Sequence, residues 1–384
     1  MYLGYNKENT DNVFCIDIET ESLTPNIIWC AVIKNLKTEE VWKFRNDGTN
    51  SIYKDLKEFI DERPMAIWVG HNVVSFDIPT INRLCGTSVE ISSIIDSLVL
   101  SYLHNPALEG GHSLAAYGER LGLPKIEFDD WTKFSEEQLV YCERDVDLTI
   151  KVFWALQARM KQIGFSELSC EIEHKIRHII DQQQETGFYI DKVRAENLYN
   201  HLRGRESDLS EVIHKLFPPE LKEVGKYTFR VKKDGSNFAS YERHRDSYTL
   251  KHHDDGTYSI YELEPFNIGS PKQRVARLLS LGWEPTSFTP KGFPKVDEDS
   301  LVAFSKKSGE PAIQAMADWL VCNGRANMVG TWVGYIGPDR RIDGRVLSCG
   351  ATTRRMTHFN PNTANIPSGA KAQYGHECRE LWTI

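Results

Sequence analysis

The stretch Val13-Phe14-Cys15-Ile16-Asp17-Ile18-Glu19-Thr20 decides the fold of this chain, because an apolar run of strand type ends in two acidic residues one position apart. Successive side chains of a strand point to opposite faces of a sheet, so Asp17 and Glu19 share a face. Such a pair is one half of a site for a divalent metal ion. A solvated strand end is the commoner setting for an isolated pair, so a metal site needs further acidic partners downstream.

The pattern around this stretch is that of an α/β domain. Apolar residues with period two, bounded by turn residues, predict strands over residues 13–18, 27–33, 40–44 and 66–69. Helical spacing and start signals predict helices over residues 51–62, 78–84, 114–121 and 135–160. Ser113 and Ser135 are the predicted N-caps of the last two helices.

The helix predicted from residue 135 carries a second pair of polar side chains. Tyr141 and Asp145 lie four residues apart, so they share one face of the helix. Val146 and Phe153 lie on much the same side, which indicates that the pair borders the core. Glu143 and Arg144, between them, are predicted to point to solvent. A structural hydrogen bond is the usual meaning of an isolated pair of this kind.

Composition limits the class of protein. A chain of 384 residues with 40% hydrophobic residues predicts two or three domains with packed cores. No apolar run approaches the ~18 to 20 residues of a membrane span, and the N-terminal residues lack a signal sequence. Eight scattered cysteines without a C-x-x-C pair predict neither a zinc knuckle nor a disulfide framework. We therefore expect a cytoplasmic protein that does not bind membranes.

Charge is distributed unevenly along the chain. Residues 1–150 contain 13 Lys and Arg against 25 Asp and Glu, and residues 151–320 contain 25 of each. Residues 321–384 contain 8 against 4. An acidic domain repels phosphate groups unless metal ions mediate the contact, whereas a basic segment can bind them directly. A plain solvated surface is the alternative explanation for each block.

A third acidic element, Asn72-x-x-x-Phe76-Asp77, lies between the two pairs. Four carboxylates and a tyrosine in this order match the two-metal scheme of phosphodiester hydrolysis, in which ions ~3.5 to 4 Å apart activate water and stabilise the leaving oxygen. Mg²⁺ and Mn²⁺ prefer carboxylates and water, which agrees with the lack of a Cys/His cluster in the sequence. We therefore predict two Mg²⁺ or Mn²⁺ ions as cofactors.

The three elements resemble the ExoI, ExoII and ExoIII motifs of the DEDDy class of 3′ to 5′ exonucleases, in particular the proofreading domain of family A DNA polymerases. The resemblance implies that one metal ion is held by Asp17, Glu19 and Asp145. It implies that Asp77, with Asp17, holds a second ion through water. Tyr141 is then the residue that orients the attacking water.

The same resemblance implies contacts with the frayed 3′ end of DNA. Leu23 matches the apolar wedge between the terminal bases, and Asn72 and Phe76 flank the end. Two interpretations of His71 stay open, a contact with the substrate and a structural histidine. Asp96 matches the aspartate of the family's IDTL-like element, in which Ser97 replaces the threonine. We expect Asp96 to have a structural or supporting role.

The resemblance continues beyond residue 160. Residues 172–191 are similar to the passage that opens the thumb of family A polymerases, and Phe266-Asn267-Ile268-Gly269-Ser270-Pro271-Lys272-Gln273 resembles their NxxSPKQ element. Residues 282–301 resemble the segment that follows it in replicative polymerases of short-tailed phages. Residues 343–367 resemble the strip that lines the primer-template duplex, with Arg355, Asn362 and Asn365 at matching positions. Arg354 replaces the usual glycine there, which puts the local turn in doubt because arginine adopts positive φ less readily.

Two partners besides DNA are implied. A polar insert over residues 217–265, predicted to form one or two hairpins, occupies the thumb position where the phage polymerases bind a processivity factor. A mobile surface hairpin, or one that touches DNA, is the alternative. Residues 374–384 resemble the strand that leads into polymerase motif A, but motifs A, B and C are missing. We therefore expect a second polymerase chain that carries these motifs and pairs with an apolar strand at residues 381–384.

These expectations combine into one prediction of fold and function. The fold class is α/β, with a ribonuclease-H-like mixed-sheet exonuclease domain (1–162), a mostly helical thumb region (163–320) and the first strands of a palm (321–384). The function is metal-dependent proofreading of single-stranded 3′ ends, in a family A polymerase that also holds primer-template duplex, in the cytoplasm of a phage-infected bacterium. The alternatives are a free-standing exonuclease similar to RNase D and an inactive DNA-binding platform.

Overall fold

The computed structural model describes residues 2–48 and 52–382. Its strands are β1 (Val13–Thr20), β2 (Ile28–Asn35), β3 (Val41–Arg45), β4 (Ile67–Gly70), β5 (Ile94–Asp96), β6 (Phe188–Tyr189), β7 (Glu220–Thr228), β8 (Thr249–His252), β9 (Thr257–Glu264), β10 (Arg341–Ile342), β11 (Arg345–Leu347) and β12 (Thr357–Phe359). Its α-helices are α1 (Ile52–Asp61), α2 (Asp77–Cys85), α3 (Ser97–His104), α4 (Leu114–Leu121), α5 (Glu136–Gln162), α6 (Glu167–Thr186), α7 (Lys192–Leu216), α8 (Ala239–Ser247), α9 (Pro271–Ser280), α10 (Glu298–Ser308), α11 (Pro311–Tyr335) and α12 (Gly375–Glu380).

Contacts group the chain into two compact units. The first consists of residues 1–188 and 342–365, and the second of residues 189–341 and 366–384. The functional boundaries predicted after residues 162 and 320 stay predictions, because grouping by contacts does not test them. Among the described residues, no helix is both long and apolar enough to cross a membrane.

A five-stranded mixed sheet in the order β3-β2-β1-β4-β5 forms the centre of the first unit. β1 pairs antiparallel with β2 and parallel with β4. The four strands predicted in this region are confirmed, with ends shifted by one or two residues. The helix predicted from residue 51 is α1, and Ser51 itself lies outside the described residues.

The two faces of β1 pack against different helices. Phe14, Ile16 and Ile18 belong to a core cluster that includes residues of α1 and α2. Cys15 belongs to the other cluster, which contains much of α5. Because side chains alternate along a strand, Asp17 and Glu19 continue the face of Cys15 and point toward α5. The alternation in the sequence thus brings the acidic pair to the helix that carries Asp145.

α5 begins where the sequence predicts. The backbone N–H of Gln138 donates to Ser135 Oγ over 3.1 Å, so Ser135 is the N-cap. One side of the helix is buried along its length, including Leu139, Val146 and Phe153. Glu143 lies on the opposite side and forms an ion pair of 2.6 Å with Lys43. The orientation of Asp145 is therefore fixed by a stripe of apolar residues on either side of it.

The second unit is mostly helical. The long helices α7 and α11 pack against each other, and Leu202, Ile213, Ile313 and Met316 are among their buried residues. The polar insert forms a three-stranded antiparallel sheet in the order β7-β9-β8, together with α8. β8 and β9 form one of the predicted hairpins. The alternating pattern of residues 227–231 also predicts a strand, and this is only partly correct, because β7 ends at Thr228.

The strand predicted for residues 374–384 is wrong. Residues Gly375–Glu380 form the helix α12, and the turn after it buries Leu381. Cys378 and Leu381 are three residues apart and both are buried, which is the spacing of a helix face rather than of a strand. The backbone N–H of Asp191 donates to the Leu381 carbonyl over 2.8 Å. Thr383 and Ile384, the end of the predicted apolar strand, lie outside the described residues.

Candidate active site

Carboxylates from β1, α2 and α5 come together at one place in the first unit. Asp77 is the first residue of α2, and its Oδ1 accepts a hydrogen bond of 3.1 Å from the backbone N–H of Ile18. This bond ties the start of α2 to the strand that carries Asp17 and Glu19. From α5, the Cys142 thiol lies 3.4 Å from Asp17 Oδ2. Donor atoms of Asp17, Glu19 and Cys142 all lie within 4.8 Å of one another.

Asp145 completes the acidic cluster from α5. Its side chain is 6% exposed, and its Oδ2 lies 2.5 Å from Lys125 Nζ. Its Oδ1 is buried and has no hydrogen-bond partner among the described residues. A buried carboxylate oxygen without a partner carries a large desolvation cost. It is therefore an acceptor that a cation or a donor from solvent can still satisfy.

The cluster raises the pKa of each of its acids. Burial raises the pKa of Asp17 well above its usual range, and Asp77 and Asp145 add to the shift. Burial and then Asp17 raise the pKa of Glu19 in the same way. Burial raises the pKa of Asp77 to about 7, although its hydrogen bond from Ile18 opposes the shift. Burial also raises the pKa of Asp145, against the opposing effect of Lys125. Additional positive charge at this place would therefore stabilise the ionised acids.

Tyr141 lies beside the cluster within a group of aromatic rings. Its ring centroid is 5.9 Å from that of Phe128 and 5.6 Å from that of Trp131. Lys125 Nζ lies 4.7 Å from the centroid of the Tyr141 ring. Burial raises the pKa of the Tyr141 phenol, so the hydroxyl stays protonated at neutral pH. Tyr141 is thus a neutral hydrogen-bonding group held at the edge of the acids.

The segment from Asn72 to Asp77 is shaped by a second buried acid. Asp96 Oδ1 and Oδ2 accept hydrogen bonds of 2.9 and 3.1 Å from the backbone N–H groups of Asn72 and Val74. Asp96 is also the N-cap of α3, where it accepts from Leu98 N over 2.8 Å. Asn72 has a left-handed backbone, with φ of 70°. Asp96 thus has the supporting position expected of it.

The residues predicted to touch the 3′ end differ in accessibility. Leu23 is 88% exposed, and Asn72 is exposed beside the half-buried Phe76. His71 Nδ1 lies 2.8 Å from Ser97 Oγ, and its Nε2 is buried. Burial lowers the pKa of His71 to about 4. Of the two interpretations left open for His71, these contacts favour the structural one.

The strip residues lie in the first unit. Arg355 and Asn362 are exposed, and Asn365 ends a short 3-10 helix, Thr363–Asn365. No described contact joins these three side chains to the acidic cluster. The doubt about Arg354 is resolved, because this arginine adopts the left-handed conformation with φ of 59°. Its guanidinium donates to the His104 carbonyl over 3.4 Å and lies 5.9 Å from the Phe165 ring centroid, contacts that a glycine could not make.

Two residues of the site were not predicted from the sequence. Lys125 lies in the segment between α4 and α5, which has no periodic pattern to say where its side chain points. The one available signal was a single cation within the acidic stretch that contains Glu127, Asp129 and Asp130. Cys142 directly follows Tyr141, and only the close packing of α5 on β1 reveals its contact with Asp17.

Known proteins resemble the chain over nearly its whole length. The DNA-directed DNA polymerase of Enterobacteria phage T3 is 26% identical over 451 aligned positions, and that of Escherichia phage T7 is 25% identical over 452. Each alignment covers 94% of this chain and 64% of the phage protein. These similarities confirm the resemblance to phage-type family A DNA polymerases. The chain thus spans less than two thirds of the length of these relatives.

Further similarities are more distant or more local. The DNA polymerase III PolC-type of Mycoplasma genitalium is 29% identical over 142 residues, which is 36% of this chain and 9% of that protein. A solved structure of the POL domain of Pol1 from M. smegmatis, in complex with DNA primer-template and dNTP, superposes with a TM-score of 0.68 at 16% identity. It covers 97% of this chain and 54% of that one, and it confirms the fold. No family model matches the chain.

Proposed function

We propose that this chain, which is related to the phage-type family A DNA polymerases over nearly its whole length, removes mismatched nucleotides from the 3′ end of DNA during replication. The observation that carries the proposal is the convergence of Asp17, Glu19, Asp77 and Asp145, next to Tyr141, at one buried place in the first unit. A similarity that continues through the second unit favours a polymerase context over a free-standing exonuclease.

The donor set fits divalent metal ions. The four carboxylates have raised pKa values, and Lys125 is the one cation paired with them among the described residues. The buried Asp145 Oδ1 has no hydrogen-bond partner there. Hard, oxygen-preferring ions such as Mg²⁺ or Mn²⁺ suit this set, and we propose that two of them bind to Asp17, Glu19, Asp77 and Asp145. Bound there, such ions supply Lewis-acid stabilisation of phosphoryl charge and lower the pKa of water.

The side chains of the chain itself orient the reactants. The Tyr141 hydroxyl is protonated at neutral pH and can donate or accept a hydrogen bond. We therefore assign to Tyr141 the alignment of the attacking water. In the reaction, water adds to the phosphorus atom and the bond from phosphorus to the 3′ oxygen breaks. The products are a nucleoside monophosphate and a strand with a free 3′ hydroxyl. Alignment of this kind can account for a large part of an enzyme's rate enhancement.

We assign the exposed Leu23 to the wedge that separates the terminal bases. Leu23 is 88% exposed, so its side chain is accessible to a DNA base. Asn72 and Phe76 are proposed to flank the same end of the strand. We assign His71 to the support of this segment through Ser97.

Duplex binding and further partners form the second part of the proposal. Arg355, Asn362 and Asn365 are proposed to contact the sugar-phosphate backbone of the primer-template, a mode of binding that is independent of sequence. The insert sheet offers the edge strands β7 and β8 to a processivity factor. Because motifs A to C are not found in residues 1–384, we assign DNA synthesis to residues outside this sequence, on the same or a second chain, in the bacterial cytoplasm.

The test is an excision assay with single-stranded and 3′-mismatched DNA in Mg²⁺ or Mn²⁺. We expect stepwise release of nucleotides from the 3′ end by the wild type and loss of at least ~10³-fold in rate for Asp17→Ala. Asp129→Ala, which removes an exposed acid of the segment before α5, is the matched control and should keep the wild-type rate. Absence of release by the wild type in either metal, or equal rates for Asp17→Ala and wild type, would overturn the proposal.

A separate experiment addresses the partner. The full chain, tagged and expressed in the cells from which it comes, is expected to retain a polypeptide with motifs A to C, identified by mass spectrometry. The same pull-down with the phage replication proteins supplied singly tests the processivity factor, with deletion of residues 229–253 as the control. A chain that binds neither protein would refute this part without affecting the exonuclease proposal.

A further inference from the structure

Lys125 is the cation of the acidic cluster. Its Nζ lies 2.5 Å from Asp145 Oδ2 and 4.7 Å from the centroid of the Tyr141 ring, so one ammonium group contacts both predicted catalytic residues of α5. Its side chain is 25% exposed and that of Asp145 is 6% exposed. Within residues 2–48 and 52–382, this is the one ion pair that involves any of the four clustered carboxylates.

Other ion pairs of α5 differ from this one. Lys43 pairs with Glu143 over 2.6 Å and Lys34 with Asp147 over 2.9 Å, and the carboxylates of both pairs are about a third or more exposed. Water screens such surface pairs, and their contribution to stability is small. The pair between Lys125 and Asp145 is largely buried beside three further acids, where the loss of one partner leaves an uncompensated charge.

The segment that carries Lys125 is held in place beside the site. Trp29 Nε1 of β2 donates to the Trp131 carbonyl over 2.9 Å. The rings of Phe128 and Trp131 lie 4.8 Å apart and both approach Tyr141. Lys125 therefore lies in a segment that is anchored to β2 and to the ring of Tyr141.

The two oxygens of Asp145 have different surroundings. Oδ2 accepts from Lys125, while Oδ1 is buried without a partner among the described residues. A carboxylate held through one oxygen has a defined orientation of the other. Lys125 thus fixes the orientation of Oδ1 through its contact with Oδ2, and Oδ1 stays available to a ligand.

We propose that Lys125 is a positioning residue of the exonuclease site, a built-in counter-ion that holds Asp145 and Tyr141 in their arrangement before a metal ion binds. The inference rests on the function proposed above for this site. Lys125 acts through Asp145 and Tyr141, and the positive charge of its ammonium is what the role requires. A neutral side chain of similar length should therefore fail to replace it.

The test compares wild type with Lys125→Met, whose unbranched side chain is one atom shorter and carries no charge. The matched control is Lys133→Met in the same segment, where the lysine is exposed. Thermal unfolding is measured in EDTA and in Mn²⁺, and excision of single-stranded DNA is measured over a range of substrate concentrations. Both measurements use the full chain.

For Lys125→Met we expect the Tm in EDTA to fall by about 5 °C or more. Saturating Mn²⁺ should raise the Tm of this variant by more than it raises that of wild type, because the ion supplies the missing charge. We expect kcat to fall about 10- to 100-fold with an unchanged KM for DNA. Lys133→Met should match wild type in every measurement.

Two results would overturn the inference. One is a Tm and kcat of Lys125→Met equal to those of wild type. The other is a Tm that falls equally in EDTA and in Mn²⁺, which would indicate a packing role unrelated to the charge of the site. If the wild type itself releases no nucleotides, the proposed function fails, while the comparison of Tm in EDTA and Mn²⁺ still decides whether Lys125 is the counter-ion.

Discussion

Replacement of Asp77 by asparagine should stabilise the metal-free protein while abolishing excision. Asp77 is 5% exposed, and its Oδ1 accepts from the backbone N–H of Ile18 over 3.1 Å. Asparagine keeps this acceptor and the size of the side chain, but it removes a buried charge that faces Asp96 and Asp145. The variant therefore separates the electrostatic cost of the carboxylate from its structural hydrogen bond.

The size of the effect follows from the pKa of Asp77. Burial raises this pKa from 3.8 to about 7 in the folded protein. At ~1.36 kcal/mol per pH unit, the rise of this pKa from 3.8 to about 7 corresponds to at most roughly 4 kcal/mol. Neighbouring groups relax around a buried charge, so we expect Asp77→Asn to gain about 2 kcal/mol in the free energy of unfolding above pH 7.

The sign of the pH dependence is specific. Below pH ~4 the carboxyl is protonated in both states, so wild type and variant should have similar stability. Between pH ~4 and ~7 the unfolded state releases its proton first, so the stability of the wild type falls as pH rises. Above pH ~7 the difference between the two proteins should be constant.

The assay is urea unfolding in EDTA at pH 4.5 and pH 8, with hydrogen exchange of the β1 amides as a measure specific to the first unit. Asp129→Asn, which alters an exposed acid, should leave both values unchanged. The reasoning is refuted if Asp77→Asn is no more stable than wild type at pH 8, or if it gains equally at pH 4.5. Mn²⁺ should reverse the order of stability at pH 8, because the variant has lost a proposed ligand.

Three further predictions concern the surroundings of the site. Tyr141→Phe should lower kcat for excision on the order of 10²-fold with little change in KM, measured by single-turnover release of the 3′ nucleotide. Asp96→Ala should lower the free energy of unfolding by roughly 2 to 4 kcal/mol in urea denaturation, because three backbone N–H groups lose their acceptor. His174 is buried on α6, and its Nε2 accepts from the backbone N–H of Asp96 over 2.8 Å. Burial lowers the pKa of His174 to about 4, so below pH ~6.5 the unfolded state binds a proton that the folded state does not. His174→Gln should therefore lose less stability than wild type, by roughly 2 kcal/mol, when pH is lowered from 7.5 to 5.

Periodic patterns predicted the part of the site that lies on regular elements. The period of two along β1 gives Asp17 and Glu19 one face, and the period of 3.6 along α5 does the same for Tyr141 and Asp145. Both elements have apolar neighbours that fix which face is buried. The sequence therefore contains enough information to orient these four side chains.

Positions without a period were not predictable in the same way. Lys125 lies in a segment whose path depends on the contact of Trp131 with Trp29 and on the rings around Tyr141, which are distant in sequence. The strand prediction for residues 374–384 rested on similarity to a family segment and failed, because residues Gly375–Glu380 form a helix. The helical spacing of Cys378 and Leu381, both buried, was the local signal against a strand. Arg354 shows that contacts with His104 and Phe165 can accompany a backbone conformation that arginine rarely adopts.

Hydrogen bonding distinguishes Asp96 from Asp145 of the proposed metal site, although both acids are buried in the first unit. Asp96 is buried and its pKa is raised, but three backbone donors satisfy its oxygens and hold the segment from Asn72. Asp145 is also buried with a raised pKa, yet its Oδ1 has no partner among the described residues. A sequence shaped by stability alone would place an amide or an apolar side chain there. The cost of the unsatisfied acid therefore supports the proposal that the cluster binds a positively charged ligand.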